Sequence, residues 1–195
     1  MSEPQLNGVV VGPDGRPRCP WGTAPEIYTA YHDSEWGRRL DGDDAMYERM
    51  CLEAFQSGLS WLTILRKREA FRAAFDHFSI EKVAEYGSED VQRLLADPGI
   101  VRNRAKIEAA IGNARAALDL PDGLARLLWS YAPEPRPRPA SLAAVPAVTP
   151  ESKAMSKDLK RRGFRFVGPT TAYALMQATG MVDDHLAGCW VPPAR

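Results

Sequence analysis

The sequence is poor in cysteine and histidine, with three of each among 195 residues. That is too sparse for a disulfide-stapled scaffold, so metal binding or simple burial is the expected use of Cys19, Cys51 and Cys189. Net charge is also missing, because 25 Lys and Arg balance 25 Asp and Glu. A chain that gathers nucleic acid by bulk charge is thereby excluded, and any basic surface must be local. No run of 18 or more apolar residues occurs, so no helical membrane span is expected. The opening residues lack the basic-then-apolar pattern of a secretory leader, which predicts a cytoplasmic protein. Strand-like alternation of useful length and internal repeats are absent as well, leaving an all-α class.

What is present begins after residues 1–18, which read as a flexible tail with a turn at Pro13-Asp14-Gly15. Four large aromatics, Trp21, Tyr28, Tyr31 and Trp36, then fall within 16 residues of apparent loop and short helix. Asp41-Gly42-Asp43-Asp44 offers a cap to a helix on which Met46, Met50, Glu53 and Ser57 share one face. Glu53 is there either a rim residue or a buried acid with a partner. Gly58 breaks that helix and leaves Leu59 in a turn, as a packed loop residue or as a wedge that enters a base stack. Further helices are predicted over 62–78, 88–96, 101–120 and 124–131. The stretch 132–150, with Pro133, Pro135, Pro137, Pro139, Pro146 and Pro150, reads as an extended connection.

The pattern closes on helix, hairpin, helix at about 155–179. A basic helix from Met155 to Arg162 stops at Gly163, and Gly168-Pro169 starts the next. A restart of this kind attracts an anion such as phosphate, with Lys157, Lys160, Arg161, Arg162 and Arg165 close upstream. An ordinary αα-corner with a solvated basic face fits the same pattern. Cys19 and His32 are 12 residues apart, and His185 and Cys189 are three apart, on one face if that segment is helical. Together they make a Cys₂His₂ set with no open position, as in structural zinc; two unrelated pairs are the alternative.

Several ordered motifs carry a resemblance. They are Cys19-x-Trp21, Tyr31-His32-Asp33-x-Glu35-Trp36-Gly37, Leu52-Glu53-x-x-Gln56-x-Gly58-Leu59-Ser60-Trp61, Arg102-Asn103-Arg104-x-Lys106-Ile107, Ile111-x-Asn113-Ala114, Lys160-Arg161-Arg162-Gly163-Phe164-x-Phe166-Val167-Gly168 and Asp184-His185. From Cys19 to Cys189 the chain resembles the 3-methyladenine DNA glycosylase I family. The resemblance implies a two-lobed helix-hairpin-helix glycosylase domain over residues 19–195. It implies a structural Zn2+ on Cys19, His32, His185 and Cys189, joining the two ends of the chain. It implies a base pocket of Trp21, Tyr28, Tyr31, Glu53 and Trp61, with Glu53 as the catalytic group. Leu59, Gly168, Thr170, Thr171 and Arg165 would contact double-stranded alkylated DNA, from which free 3-methyladenine is released by a monomeric enzyme.

Lyase relatives of the wider superfamily carry Lys just after the hairpin glycine. Thr170 stands there, so a monofunctional enzyme that leaves an abasic site is implied. Asp183 either stabilises charge at the sugar or supports His185. Two other readings compete: an inactive zinc-stabilised damage-binding module, and a zinc hydrolase. The full set of pocket residues opposes the first, and four available ligands oppose the second.

Overall fold

The computed structural model describes residues 8–193. Residues 1–7, the start of the expected tail, lie outside the described residues. The chain divides into two compact units. One comprises residues up to Arg39, Pro133–Ala147 and Met176 onward; the other comprises Leu40–Ala132 and Val148–Leu175. Among the described residues, no helix is long and apolar enough to cross a membrane.

The first unit opens with a small antiparallel hairpin, β1 (Val10–Val11) and β2 (Pro17–Arg18). Residues 8–18 therefore depart from the expected tail, although the turn between the strands falls where Pro13-Asp14-Gly15 predicts it. The reason is long-range. Arg18 is buried and joins Asp14 at 2.6 Å to Asp33 at 2.7 Å. Val9 packs into a core of Cys19, Leu186, Cys189 and Val191, covered by Trp21 and Trp190. Helix α1 (Glu26–Ser34) follows. The proline-rich stretch is tied down at Arg138 and Pro139. Arg138 reaches both Asp183 and the Val191 carbonyl, and the Pro139 carbonyl accepts from Ala187.

The second unit is helical: α2 (Asp43–Gln56), α3 (Trp61–Ala74), α4 (Ile80–Ala84), α5 (Ser88–Ala96), α6 (Arg104–Leu118), α7 (Leu124–Trp129) and α8 (Pro150–Arg161). It also holds α9 (Pro169–Ala178) as far as Leu175. Met46, Met50, Leu52 and Phe55 of α2 are buried, with Phe55 and Phe71 rings 4.7 Å apart.

Two local expectations are corrected. Asp43 and Asp44 do not cap α2, whose N-cap is Gly42. They accept from Ala125 and Ile80, capping α7 and α4 instead. The helix expected through Phe78 ends at Ala74, and Asp76, His77 and Phe78 all take left-handed backbone. Such a run costs on the order of 1 kcal/mol or more per residue. It is offset by burial of Phe75 and Phe78, which stack at 5.4 Å.

Candidate functional site

The first unit gathers three groups that could hold a metal ion. Cys19 follows β2, His32 lies in the last turn of α1, and Cys189 sits in a turn closed by its own N–H on the Leu186 carbonyl. The ligand atoms of all three are buried and lie within 4.8 Å of one another. Cys189 Sγ is 3.6 Å from His32 Nε2. The Cys19 thiol hydrogen-bonds Cys189 and draws its pKa down to about 4; burial opposes this and His32 assists. The same contact pushes Cys19 up, so the pair holds on to one proton. His32 Nδ1 faces Asp33 at 2.8 Å, which leaves Nε2 for a metal. Burial raises the Asp33 carboxyl, but Arg18 and His32 outweigh it and hold the group below its ordinary value. Two thiols and an imidazole backed by a carboxylate fit a soft divalent metal.

His185, expected as the fourth ligand, is adjacent to this group but outside it. The segment 185–189 is irregular and not the helix the spacing suggested. Its ring centroid lies 4.9 Å from that of His32, Nδ1 is 3.1 Å from Asp183, and Nε2 is 3.5 Å from the His32 carbonyl. Asp183 in turn accepts from Arg138 at 2.8 Å.

Gly37 makes room for this histidine. Its φ is +73°, and a Cβ there would lie 2.8 Å from His185 Cε1. Gly37→Ala is expected to destabilise by about 2 kcal/mol or more, a loss of roughly 5 °C in Tm. Thermal unfolding with parallel metal analysis checks this, and an unchanged Tm and metal content would sink the packing argument.

Trp21 is the hub of the aromatic group in the same unit. It meets Tyr28 at 5.9 Å edge-on, Tyr31 at 6.3 Å and Trp36 at 4.9 Å. Tyr31 is buried, while Trp21 and Tyr28 are half-buried and keep accessible faces.

In the second unit Glu53 occupies α2 at only 6% exposure. Burial pushes its carboxyl up to about 7, opposed by the charge of Arg49 one turn earlier. Arg49 is itself buried and lies 6.0 Å from the Trp61 ring. Sequence reading missed it, although its i, i+4 spacing to Glu53 was a usable signal. Glu53 opens onto a groove of about 360 Å³, also lined by Gln56, Leu59, Thr170 and Thr171. Leu59 is 41% exposed on a turn made by Gly58 at positive φ.

The far wall of the groove is the restarted helix. α8 is capped by Thr149, with Ser152 returning the bond, and stops at Gly163. The Phe164 N–H reaches back to the Leu159 carbonyl, the longer closing bond of a Schellman turn. α9 begins at Pro169, with Ala172 bonded to Gly168, so the Thr170 and Thr171 N–H groups have no partner within the helix. Arg165 is exposed in the hairpin, whereas Arg161 and Arg162 are both paired with Asp158. The basic cluster read from sequence is thus partly neutralised.

The structure brings Cys19, His32, Cys189 and neighbouring His185 together, then Trp21, Tyr28 and Tyr31, and separately Glu53, Leu59, Thr170 and Thr171. Comparison with known proteins identifies the family. The family profile of methyladenine glycosylases matches residues 21–192. The chain is 46% identical to DNA-3-methyladenine glycosylase 1 of Escherichia coli K12 over 183 residues, covering 91% of this chain and 98% of that protein. It is 43% identical to DNA-3-methyladenine glycosylase of Haemophilus influenzae, covering 88% and 96%. A crystal structure of a 3-methyladenine DNA glycosylase I superposes with a TM-score of 0.87 at 45% identity, covering 90% of this chain and all of that one. Another, solved in complex with 3-methyladenine, gives 0.86 at 36% identity, covering 91% and 99%. The chain belongs to the methyladenine glycosylase family.

Proposed function

We propose that this chain is a monofunctional DNA-3-methyladenine glycosylase that hydrolyses the N-glycosidic bond of 3-methyladenine in alkylated duplex DNA. The observation that carries the reading is Glu53, a buried acid opening onto the groove shared by Leu59 and the start of α9. A damaged base has to leave the stack before its bond to sugar can be reached. Leu59 fills the gap it leaves, and the Thr170 and Thr171 N–H groups at the α9 start, after Gly168, hold a phosphate with Arg165 nearby. N3-methylation makes the base cationic and already a good leaving group, so little acid catalysis is needed. Trp21, Tyr28, Tyr31 and Trp61 offer ring faces to that cation, each contact worth roughly 0.5–2 kcal/mol. Glu53 accepts its hydrogen bonds and favours the charged form over neutral adenine. Thr170 provides no amine for a Schiff base, so an abasic site is left.

Residues 19–195 act as one cytoplasmic, monomeric functional domain in this reading. Cys19, His32, Cys189 and His185 hold a structural zinc, with Asp33 and Asp183 fixing the two imidazoles. Four protein ligands leave no position for water, so zinc would supply cross-linking and not hydrolysis. Asp183 is assigned to His185 because its carboxylate already faces that ring and Arg138.

Chromatography of methylated duplex DNA treated with the protein is expected to show free 3-methyladenine and no strand cleavage. Intact DNA binding without base release would replace this reading with an inactive damage-binding module.

A further inference from the structure

Two buried polar side chains of α6 touch neither the metal group nor the groove, yet each grips one of the groove's working loops. Lys106 lies in the first turn of α6, whose N-cap Asn103 accepts from the Lys106 N–H at 3.1 Å. That is a poor place for a cation, because a helix start is already electropositive. Burial adds to the cost and pushes the Lys106 ammonium below its ordinary pKa. The ammonium instead donates to the carbonyls of Phe55 at 2.9 Å and Ser57 at 2.5 Å, at the electronegative end of α2. Ser57 is the second residue of the Gln56–Leu59 turn, which closes through Leu59 N–H on the Gln56 carbonyl. Ser60 fixes the far side by capping α3. Leu59 is therefore held between two anchored residues.

Asn113 does the same for the hairpin. It is 1% exposed. Its amide donates to the Arg165 carbonyl at 3.1 Å and accepts from the Arg165 N–H at 2.8 Å. Both backbone groups of one hairpin residue are thus taken by one side chain, next to Phe166 in left-handed backbone. Lys106 and Asn113 stand seven residues apart, two turns along the same face of one helix, roughly 10 Å along its axis.

We propose that α6 is a spacer for DNA engagement: Lys106 and Asn113 hold the Leu59 turn and the phosphate-binding hairpin at one separation, so that wedge and phosphate contact are made together. This rests on the proposed roles of Leu59 and of the α9 start. Both residues are positioning residues, since neither reaches the groove. Pre-setting the separation removes an ordering cost that DNA binding would otherwise carry.

The test uses the full chain with three probes: methylated duplex, a duplex with a tetrahydrofuran abasic site, and free 3-methyladenine. Lys106→Met and Asn113→Ala are each expected to raise KM for the methylated duplex, and Kd for the abasic duplex, by about tenfold. Affinity for the free base and kcat should stay within about twofold, because the base-contacting groups are not moved. Lys106→Arg keeps donors for the two carbonyls and should restore most of the loss. The double variant should lose little more than the worse single one, since releasing one anchor already frees the separation.

A parallel loss of free-base affinity, or a double variant that multiplies the losses to about a hundredfold, would make the residues independently structural and overturn the proposal. Thermal unfolding checks folding, and Asn113→Ser reads the same quantities if the alanine variant does not fold. Leu59→Ala separates the two levels. If it costs about tenfold while the anchor variants behave normally, only the spacer fails; if it costs nothing, the wedge role fails and the spacer with it.

Discussion

Replacing Glu53 with Gln is expected to slow 3-methyladenine release by about a hundredfold while leaving affinity for abasic duplex within about threefold. The amide fills the same space and keeps an acceptor but loses the charge that favours a cationic base. The carboxyl is pushed up to about 7 by burial, with Arg49 opposing. The wild-type kcat/KM should therefore rise with pH through about 7, as the carboxylate forms, while the Gln variant stays flat over that range. The same group sets a stability slope. A carboxyl raised from 4.5 to about 7 on folding stabilises the fold fully below the lower value and loses that contribution as pH climbs through the higher one. The span corresponds to on the order of 3 kcal/mol. Denaturant midpoints at pH 5 and pH 8 should fall further in the wild type than in Glu53→Gln. Identical pH slopes in the two proteins would show that Glu53 is not the buried acid of the site, and equal loss of base release and DNA binding would reduce it to a structural role.

Loss of the metal group is the second large effect. Cys19, His32 and Cys189 converge in the core of the first unit, with Val9, Leu186 and Val191 around the thiols. Chelation, or Cys189→Ala, is expected to lower Tm by about 10 °C or more, because metal bound only to the folded chain adds its binding free energy to folding. One zinc per chain should be found in the wild type and much less in the Cys189 variant. His185→Ala should fall between the two, since three donors remain. At a temperature where both are folded, base release per folded molecule should be nearly equal, as no step passes through the metal. An unchanged Tm and no bound metal in the wild type would remove zinc from the account.

Much of this was readable along the chain. Thr149 before Pro150, Gly163 after a basic helix, and Gly168-Pro169 are short-range signals, because a cap, a stop and a first-turn proline are settled by bonds within a few residues. The shared face of Met46, Met50 and Glu53 follows from helical period alone. The sparse Cys and His set made a metal group one of two readings, beside simple burial, and three of its members do converge. Other features depend on neighbours from distant parts of the chain and were not readable. Residues 8–18 form a hairpin because Asp33 and the core around Leu186 meet them. The segment holding His185 and Cys189 is irregular because Asp183, Arg138 and the Pro139 carbonyl claim its polar groups. Asp43 and Asp44 cap helices other than their own. Helical period left Glu53 as a rim residue or a buried acid, and its burial beside Arg49, Leu159 and Thr171 comes from the fold. The sequence by itself determined the family, the helical class and the order of the motifs, since these rest on residue identity and local period. The tertiary structure alone decided which acid is buried, where its pKa falls, and which helix anchors the loops beside it, because burial and electrostatics are set by groups that only folding brings together.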